Sequence, residues 1–161
     1  MKKTISILVE NRAGVLNRIT SLFSRRAFNI ESLAVGVTDD PSLSRITMIV
    51  DSGNSVVEQV EKQLHKLVEV IKVRKLDDDA IIGRELMIIK VAANHKTRDS
   101  IMTICGICGA KVADLTQTTM TLELSDTPDR LNTFQDMMKA YHILEVVRTG
   151  VIALQKGSGK I

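Results

Sequence analysis

An apolar run gives way to a polar loop and then to a helical pattern at Val9-Glu10-Asn11-Arg12-Ala13-Gly14-Val15-Leu16. Residues 4–9 are mostly β-branched or apolar and predict a strand that ends in this loop. After the loop, apolar residues recur at helical spacing, namely Val15, Leu16, Ile19, Leu22 and Phe23. The loop therefore joins a strand to a helix. It points the N–H groups of the first helical turn, at the positive end of the helix dipole, toward a small carboxylate or phosphate.

Two residues of the loop suit an anionic ligand. Gly14 has no Cβ, so a ligand can approach the backbone closely, and the carboxamide of Asn11 can both donate and accept hydrogen bonds. The alternative is that Asn11 caps the helix and Gly14 is an ordinary loop glycine, because both residue types are common in loops. The residues alone leave both interpretations open.

The composition indicates a folded protein with a substantial core. The chain has 161 residues, 44% of them hydrophobic, which is enough for one medium domain or two small ones. Its formal charge of +3 is spread along the chain, so no electrostatic footprint for nucleic acid or membrane is evident. No apolar run approaches the roughly 20 residues of a membrane helix, and Met1-Lys2-Lys3 leads into a strand and not into a signal peptide. We expect a cytoplasmic protein.

The first half of the chain predicts alternating strands and helices. Residues 29–38 and 45–50 form a predicted hairpin around Asp39-Asp40-Pro41-Ser42, and Ser52-Gly53 ends its second strand. An amphipathic helix and a strand over residues 68–75 follow. The order is β-α-β-β-α-β, the ferredoxin-like pattern, which lays two helices on one face of a four-stranded antiparallel sheet.

The second half repeats this order after the acidic run Asp77-Asp78-Asp79. Its predicted strands are 86–91, 111–114, 119–124 and 143–154, and its predicted helices are 97–108 and 127–141. The sequence thus predicts an α+β chain of two tandem ferredoxin-like βαββαβ units. We place the first at residues 1–76, a linker at 77–83 and the second at 84–161.

No catalytic group of side chains is recognisable. Cys105-Gly106-Ile107-Cys108 has C-x-x-C spacing, but the cysteines lie late in a predicted helix, where they are expected to be buried core residues. The histidines, His65, His95 and His142, are scattered through different elements. RNA-recognition domains use the same strand order but need stacking aromatics on their central strands, and these strands have none.

Three blocks of sequence carry a resemblance to a known family. They are Val9-Glu10-Asn11-Arg12-Ala13-Gly14-Val15-Leu16-Asn17-Arg18-Ile19, Leu22-Phe23-Ser24-Arg25-Arg26 and Phe28-Asn29-Ile30-Glu31-Ser32-Leu33-Ala34-Val35-Gly36. The N-terminal half resembles an ACT domain. The whole chain resembles the regulatory small subunits of acetohydroxyacid synthase, also called acetolactate synthase, with weaker motifs in its second half.

The resemblance implies a function without catalysis by this chain. Members of the family assist a catalytic large subunit in branched-chain amino acid biosynthesis, raise its activity and confer feedback inhibition by valine. The chain itself would need no cofactor and no metal, whereas thiamine diphosphate, Mg and FAD are expected in the large subunit. Valine would lie between the ACT domains of a homodimer, held by Asn11, Gly14, Val15 and Leu16 of one copy and by Asn29 and Ile30 of the other.

Two observations bear on the assembly and on the remaining alternatives. The second strand lies at the edge of a ferredoxin-like sheet, and Leu33, Val35 and Val37 make it apolar enough to favour pairing with a second copy. Two other functions stay open on the sequence: a ligand sensor with no enzyme partner, and an enzyme with an unrecognised site.

Overall fold

A computed structural model describes residues 2–25, 29–51 and 54–160, with only the backbone described from 54 to 56. The chain forms two compact units. The first comprises Met1–Gly83 together with Gly150–Ile161, and the second comprises Arg84–Thr149.

The first unit has the predicted βαββαβ order. Its elements are β1 (Lys2–Glu10), α1 (Val15–Arg25), β2 (Ile30–Val37), β3 (Leu43–Asp51), α2 (Asn54–Leu64) and β4 (Val70–Leu76). The strands form an antiparallel sheet in the order β2-β3-β1-β4, so β2 lies at an edge, as predicted. Ser52 and Gly53, which were predicted to end β3, lie outside the described residues.

The core of this unit follows from the alternation of side chains along its two central strands. On one side of the sheet, β1 and β3 contribute a set of apolar residues that are all at most 2% exposed, namely Ile5, Ile7, Val9, Ile46, Met48 and Val50. Helix α1 packs its stripe of Val15, Ile19 and Phe23 on this side. Since Val15 is the first residue of α1, this packing fixes the start of the helix directly after the loop.

The second unit repeats the topology of the first. Its elements are β5 (Ile81–Ala92), which begins before the unit boundary, α3 (Arg98–Cys108), β6 (Lys111–Leu115), β7 (Thr119–Asp126), α4 (Pro128–Met138) and β8 (Ile143–Arg148). The strand order β6-β7-β5-β8 corresponds to β2-β3-β1-β4 of the first unit. The prediction of two tandem ferredoxin-like units is therefore confirmed.

The predicted linker over residues 77–83 is shorter in the structure. Only Asp78–Ala80 form a turn, of 3₁₀ type, and Ile81–Gly83 already belong to β5. The physical reason is that Ile81 packs against a small apolar cluster of Leu76, Val151 and Ala153. An acidic run marks a turn in the sequence, but it does not show where the next strand begins.

The end of the chain departs from the predicted boundaries more strongly. The predicted strand region 143–154 is broken at Gly150, which has a φ of +82°, into β8 and β9 (Ile152–Gln155). The C-terminal segment, defined here as residues 150–156, returns to the first unit, so the second unit ends at Thr149 and not at residue 161.

The C-terminal segment covers the side of the first sheet that faces away from the helices. The N–H of Val151 donates to Ser32 Oγ at 3.1 Å, and the guanidinium of Arg74 donates to Gln155 Oε1 at 2.5 Å. Val151 and Ala153 are each 5% exposed and pack with Leu76. These contacts join residues that are far apart in the sequence, which is why strand periodicity could not locate them.

Gly150 and Gly157 provide a matched test of this contact. Both have a positive φ, so replacement by Ala strains the backbone at either position, by about 1–2 kcal/mol. Only at Gly150 would a Cβ clash, at 2.7 Å from Ser32 Oγ and 3.3 Å from the Leu33 carbonyl oxygen. We expect Gly150→Ala to lower the free energy of unfolding by about 1 kcal/mol or more beyond Gly157→Ala in urea titrations. Equal effects would mean that the segment does not contact β2.

The cysteine pair lies in the last turn of α3, as the sequence predicted. Cys105 is 2% exposed and belongs to the core of the second unit, whereas Cys108 is half-buried. Burial raises the pKa of the Cys105 thiol, and the neighbouring Cys108 adds to the effect. Neither observation favours a reactive pair, because a redox cysteine needs a lowered pKa and access.

A thiol reagent should distinguish the two cysteines. We expect Cys108 to react with a disulfide reagent at neutral pH at least about tenfold faster than Cys105, whose thiolate is both scarce and buried. Cys108→Ser should therefore abolish the fast phase and Cys105→Ser should retain it. A fast phase that survives Cys108→Ser would contradict the burial of Cys105.

Candidate ligand-binding site

The loop between β1 and α1 is anchored by hydrogen bonds on two sides. The N–H of Asn11 donates to the Ser42 carbonyl oxygen at 2.7 Å, and Asn11 Nδ2 donates to the Pro41 carbonyl oxygen at 2.9 Å. On the other side, the N–H of Glu10 donates to the Glu69 carbonyl oxygen at 2.9 Å. A loop held in this way loses little conformational freedom when a ligand binds.

The hairpin turn that receives Asn11 is itself ordered by a side chain. The carboxylate of Asp40 accepts hydrogen bonds from the Ser42 hydroxyl at 2.6 Å and from the Ser42 N–H at 2.9 Å. These bonds lower the pKa of Asp40. Sequence reasoning identified the turn but missed that Pro41 and Ser42 support the loop, because the turn residues signal only a hairpin.

Asn11 does not act as a helix cap in the described structure. Its side-chain amide is directed to Pro41, and α1 begins four residues later, at Val15. The interpretation of Asn11 as a cap is therefore wrong. The carboxamide remains at the exposed surface of the loop.

Gly14 has the geometry that a close backbone approach requires. Its φ is +87°, in the left-handed region that favours glycine, and a Cβ built there meets no atom within 4 Å. The carbonyl oxygen of Gly14 accepts the N–H of Arg18 at 3.0 Å, which begins the hydrogen bonding of α1. Val15 beside it is buried, and Leu16 is 41% exposed. Gly14 thus lies at an open surface in front of the helix.

The positive end of α1 lacks a compensating charge of its own. No acidic residue occurs in the first turn of α1, whereas Asp99 and Asp129 lie in the first turns of α3 and α4. The guanidinium of Arg12 is paired with the Glu10 carboxylate, so this pair leaves the loop neutral. An anion in front of Gly14 would interact favourably with the helix dipole and with N–H groups of the first turn.

The other two predicted ligand residues lie at the opposite end of the sheet. Ile30 pairs with Val50, and Val50 pairs with Lys3 near the beginning of β1. The stretch of β1 from Lys3 to Glu10 spans about 23 Å at roughly 3.3 Å per residue. Within one chain, the structure therefore does not bring Asn29 and Ile30 together with Asn11, Gly14, Val15 and Leu16.

The equivalent loop of the second unit is closed by its own side chains. Asn94 Oδ1 accepts the N–H groups of Lys96 at 2.9 Å and of Thr97 at 3.2 Å, and the Asn94 N–H donates to Thr97 Oγ1 at 3.0 Å. The loop also lacks a glycine. The loop before α3 is thus held by hydrogen bonds among its own residues, whereas the loop before α1 is held by Pro41, Ser42 and Glu69.

The structure offers no support for the other candidate sites. The three histidines lie in separate turns and loops, and among the described residues no three His, Cys, Asp or Glu side chains are grouped to hold a metal ion. The side of the first sheet that an RNA-recognition domain would use is covered by the C-terminal segment. Among the described residues, none of the helices combines the length and the hydropathy of a membrane-spanning segment.

Comparison with known proteins assigns both halves of the chain to one family. The family model for the AHAS small subunit-like ACT domain matches residues 5–72, and the model for the small subunit of acetolactate synthase matches residues 84–157. The chain is 43% identical to the probable acetolactate synthase small subunit of Archaeoglobus fulgidus, covering 99% of this chain and 100% of the relative. It is likewise 43% identical to the acetolactate synthase small subunit of Haemophilus influenzae, covering 100% and 99%.

A solved structure agrees with this assignment over the full length. The acetolactate synthase small subunit of Thermotoga maritima superposes with a TM-score of 0.92, at 31% identity and 99% coverage of both chains. Fold, sequence and coverage therefore agree, and the chain belongs to the family of acetolactate synthase small subunits with an N-terminal ACT domain.

Proposed function

We propose that this chain is the regulatory subunit of acetohydroxyacid synthase and that valine is its effector. It catalyses no step itself. It associates in the cytoplasm with a thiamine-diphosphate-dependent catalytic large subunit, raises its activity, and confers feedback inhibition by valine on branched-chain amino acid biosynthesis. The loop in front of α1 carries this proposal, because it combines an anchored backbone, an open Gly14 and an uncompensated helix dipole in a chain of this family.

The loop suits the α-carboxylate of an amino acid. A carboxylate in front of Gly14 can accept hydrogen bonds from the N–H groups of the first turn of α1, which have no acceptor within the helix. The carboxamide oxygen of Asn11 can accept from the α-ammonium group. The exposed side chain of Leu16 supplies apolar surface for the branched side chain of valine, whereas Val15, whose side chain is buried, would contribute its backbone N–H.

Antiparallel pairing of two β2 edges would complete the site. Val37, at the C-terminal end of β2, pairs with Ser44 of β3, and Ser44 pairs with Val9 near the end of β1. The C-terminal end of β2 therefore lies at the same end of the sheet as the loop. When β2 of a second copy runs antiparallel beside it, Asn29 and Ile30 of that copy approach this end. Val35 and Val37 on the edge are 48% and 59% exposed, which favours such pairing.

Reconstitution with a catalytic large subunit tests the function directly. We expect the chain alone to form no acetolactate, to raise the turnover of the large subunit when added, and to make that turnover sensitive to valine. Turnover by the chain alone would identify an enzyme. Binding of valine without any association with the large subunit would identify a free-standing sensor.

Substitution of Gly14 separates charge from backbone strain. Gly14→Asp places a carboxylate where the ligand carboxylate is proposed to bind, and we expect it to raise the Kd for valine at least about 100-fold in calorimetry. Gly14→Ala carries the same unfavourable φ, worth about 1–2 kcal/mol, without the charge, and should raise the Kd by less than about 30-fold. Neither change should prevent activation of the large subunit. If both variants bind valine as the wild type does, the site lies elsewhere.

A mixed dimer tests whether two copies share the site. Gly14→Asp and Asn29→Ala homodimers should each fail to bind valine tightly. In a heterodimer of the two variants, one site combines the intact loop of the Asn29→Ala copy with the intact Asn29 of the other copy. We therefore expect calorimetry of the heterodimer to recover one tight site per dimer. If the heterodimer does not recover a tight site, Gly14 and Asn29 do not form a site shared between two copies.

A further inference from the structure

The edge strand β2 contains a bulge directly after the residues proposed to contact valine. Ile30 pairs with Val50, whereas Ser32 pairs with Ile49. Two steps along β2 therefore match one step along β3, and Glu31 is the extra residue. Bulges of this kind re-aim side chains and are frequent beside functional sites. The orientation of Ile30 thus depends on the bulge.

The extra residue decides which side chains of β2 face the core. Ile30 and Leu33 both pack against the core of the first unit, although they are three residues apart. In a regular strand, residues three apart lie on opposite sides of the sheet. With the bulge at Glu31, both face the helices, and Ser32 faces the side that the C-terminal segment covers. Because Ile30 and Leu33 are only half-buried, the core contributes only part of what holds the bulge in place.

The C-terminal segment supplies a second contact, at Ser32. Ser32 Oγ accepts a hydrogen bond from the N–H of Val151 at 3.1 Å. The backbone of Gly150 lies so close to β2 that a Cβ there would be 3.3 Å from the Leu33 carbonyl oxygen. The segment therefore holds β2 immediately after the bulge.

We infer that Ser32 is a positioning residue for the effector site, and this inference rests on the proposed function. Held by the C-terminal segment, Ser32 fixes the bulge, and the bulge fixes the direction in which Asn29 and Ile30 are presented to the loop of a second copy. The ion pair between Glu31 and Lys2 at the bulge is exposed and contributes little. A site whose groups are held in the bound geometry before the ligand arrives binds it more tightly.

Two substitutions disturb this contact from opposite sides, and each has a matched control. Ser32→Ala removes the acceptor of the hydrogen bond. Ser6→Ala removes a hydroxyl on the same side of the sheet, in β1, that has no hydrogen-bond partner among the described residues. Gly150→Ala drives the segment away from β2, whereas Gly157→Ala imposes a similar backbone strain where an added Cβ meets no atom within 4 Å. All four are made in the full chain, and urea titrations establish that each remains folded.

Calorimetry of valine binding separates positioning from stability. We expect Ser32→Ala and Gly150→Ala to raise the Kd at least about fivefold, and both controls to leave it within about twofold of the wild-type value. Since Gly157→Ala also strains the backbone, a rise confined to Ser32→Ala and Gly150→Ala is not explained by lost stability. An unchanged Kd in Ser32→Ala, or an equal rise in the controls, would overturn this inference alone. A wild-type chain that binds no valine would overturn the proposed function as well.

Discussion

The packing of α1 on the first sheet is the contact on which the ligand loop depends. Val15, Ile19 and Phe23 are all at most 5% exposed, and a truncation such as Phe23→Ala would cost about 3–5 kcal/mol. Val15 is both the first helical residue and a core residue, and the positive φ of Gly14 prevents the right-handed helix from beginning earlier. The core thus determines where the positive end of α1 lies, and Gly14 in its left-handed conformation makes that end accessible.

The two units show how one topology can carry the proposed site in one copy and not in the other. Their strand orders correspond, and each has a helix after its first central strand. The difference lies in a few loop residues. Asn94 closes its loop by accepting N–H groups that follow it, whereas Asn11 is directed sideways to Pro41 and leaves the helix start open. The proposed function therefore rests on the loop chemistry and not on the fold.

Sequence periodicity predicted the elements well because their side chains face a local core. The strand around Ile5 and the helix around Ile19 both follow from spacing alone. The return of the C-terminal segment was not predictable in this way, because its partners Ser32 and Leu76 lie far from it in the sequence. The loop was located by its residue types, but the support from Pro41 depends on a tertiary contact. Residue types likewise do not show which sheet edges or faces meet a second copy.

The proposed shared site also constrains how valine can act. A ligand that contacts two copies contributes its binding free energy to their association, and by linkage the association strengthens binding of the ligand by the same factor. Inhibition requires more than this. Valine must favour an arrangement of the β2 edges that differs in its effect on the large subunit, and it can shift the equilibrium only by its difference in affinity for the two arrangements. The anchored loop is suited to this role, because a rigid site converts a change in the position of the partner's Asn29 into a change in affinity.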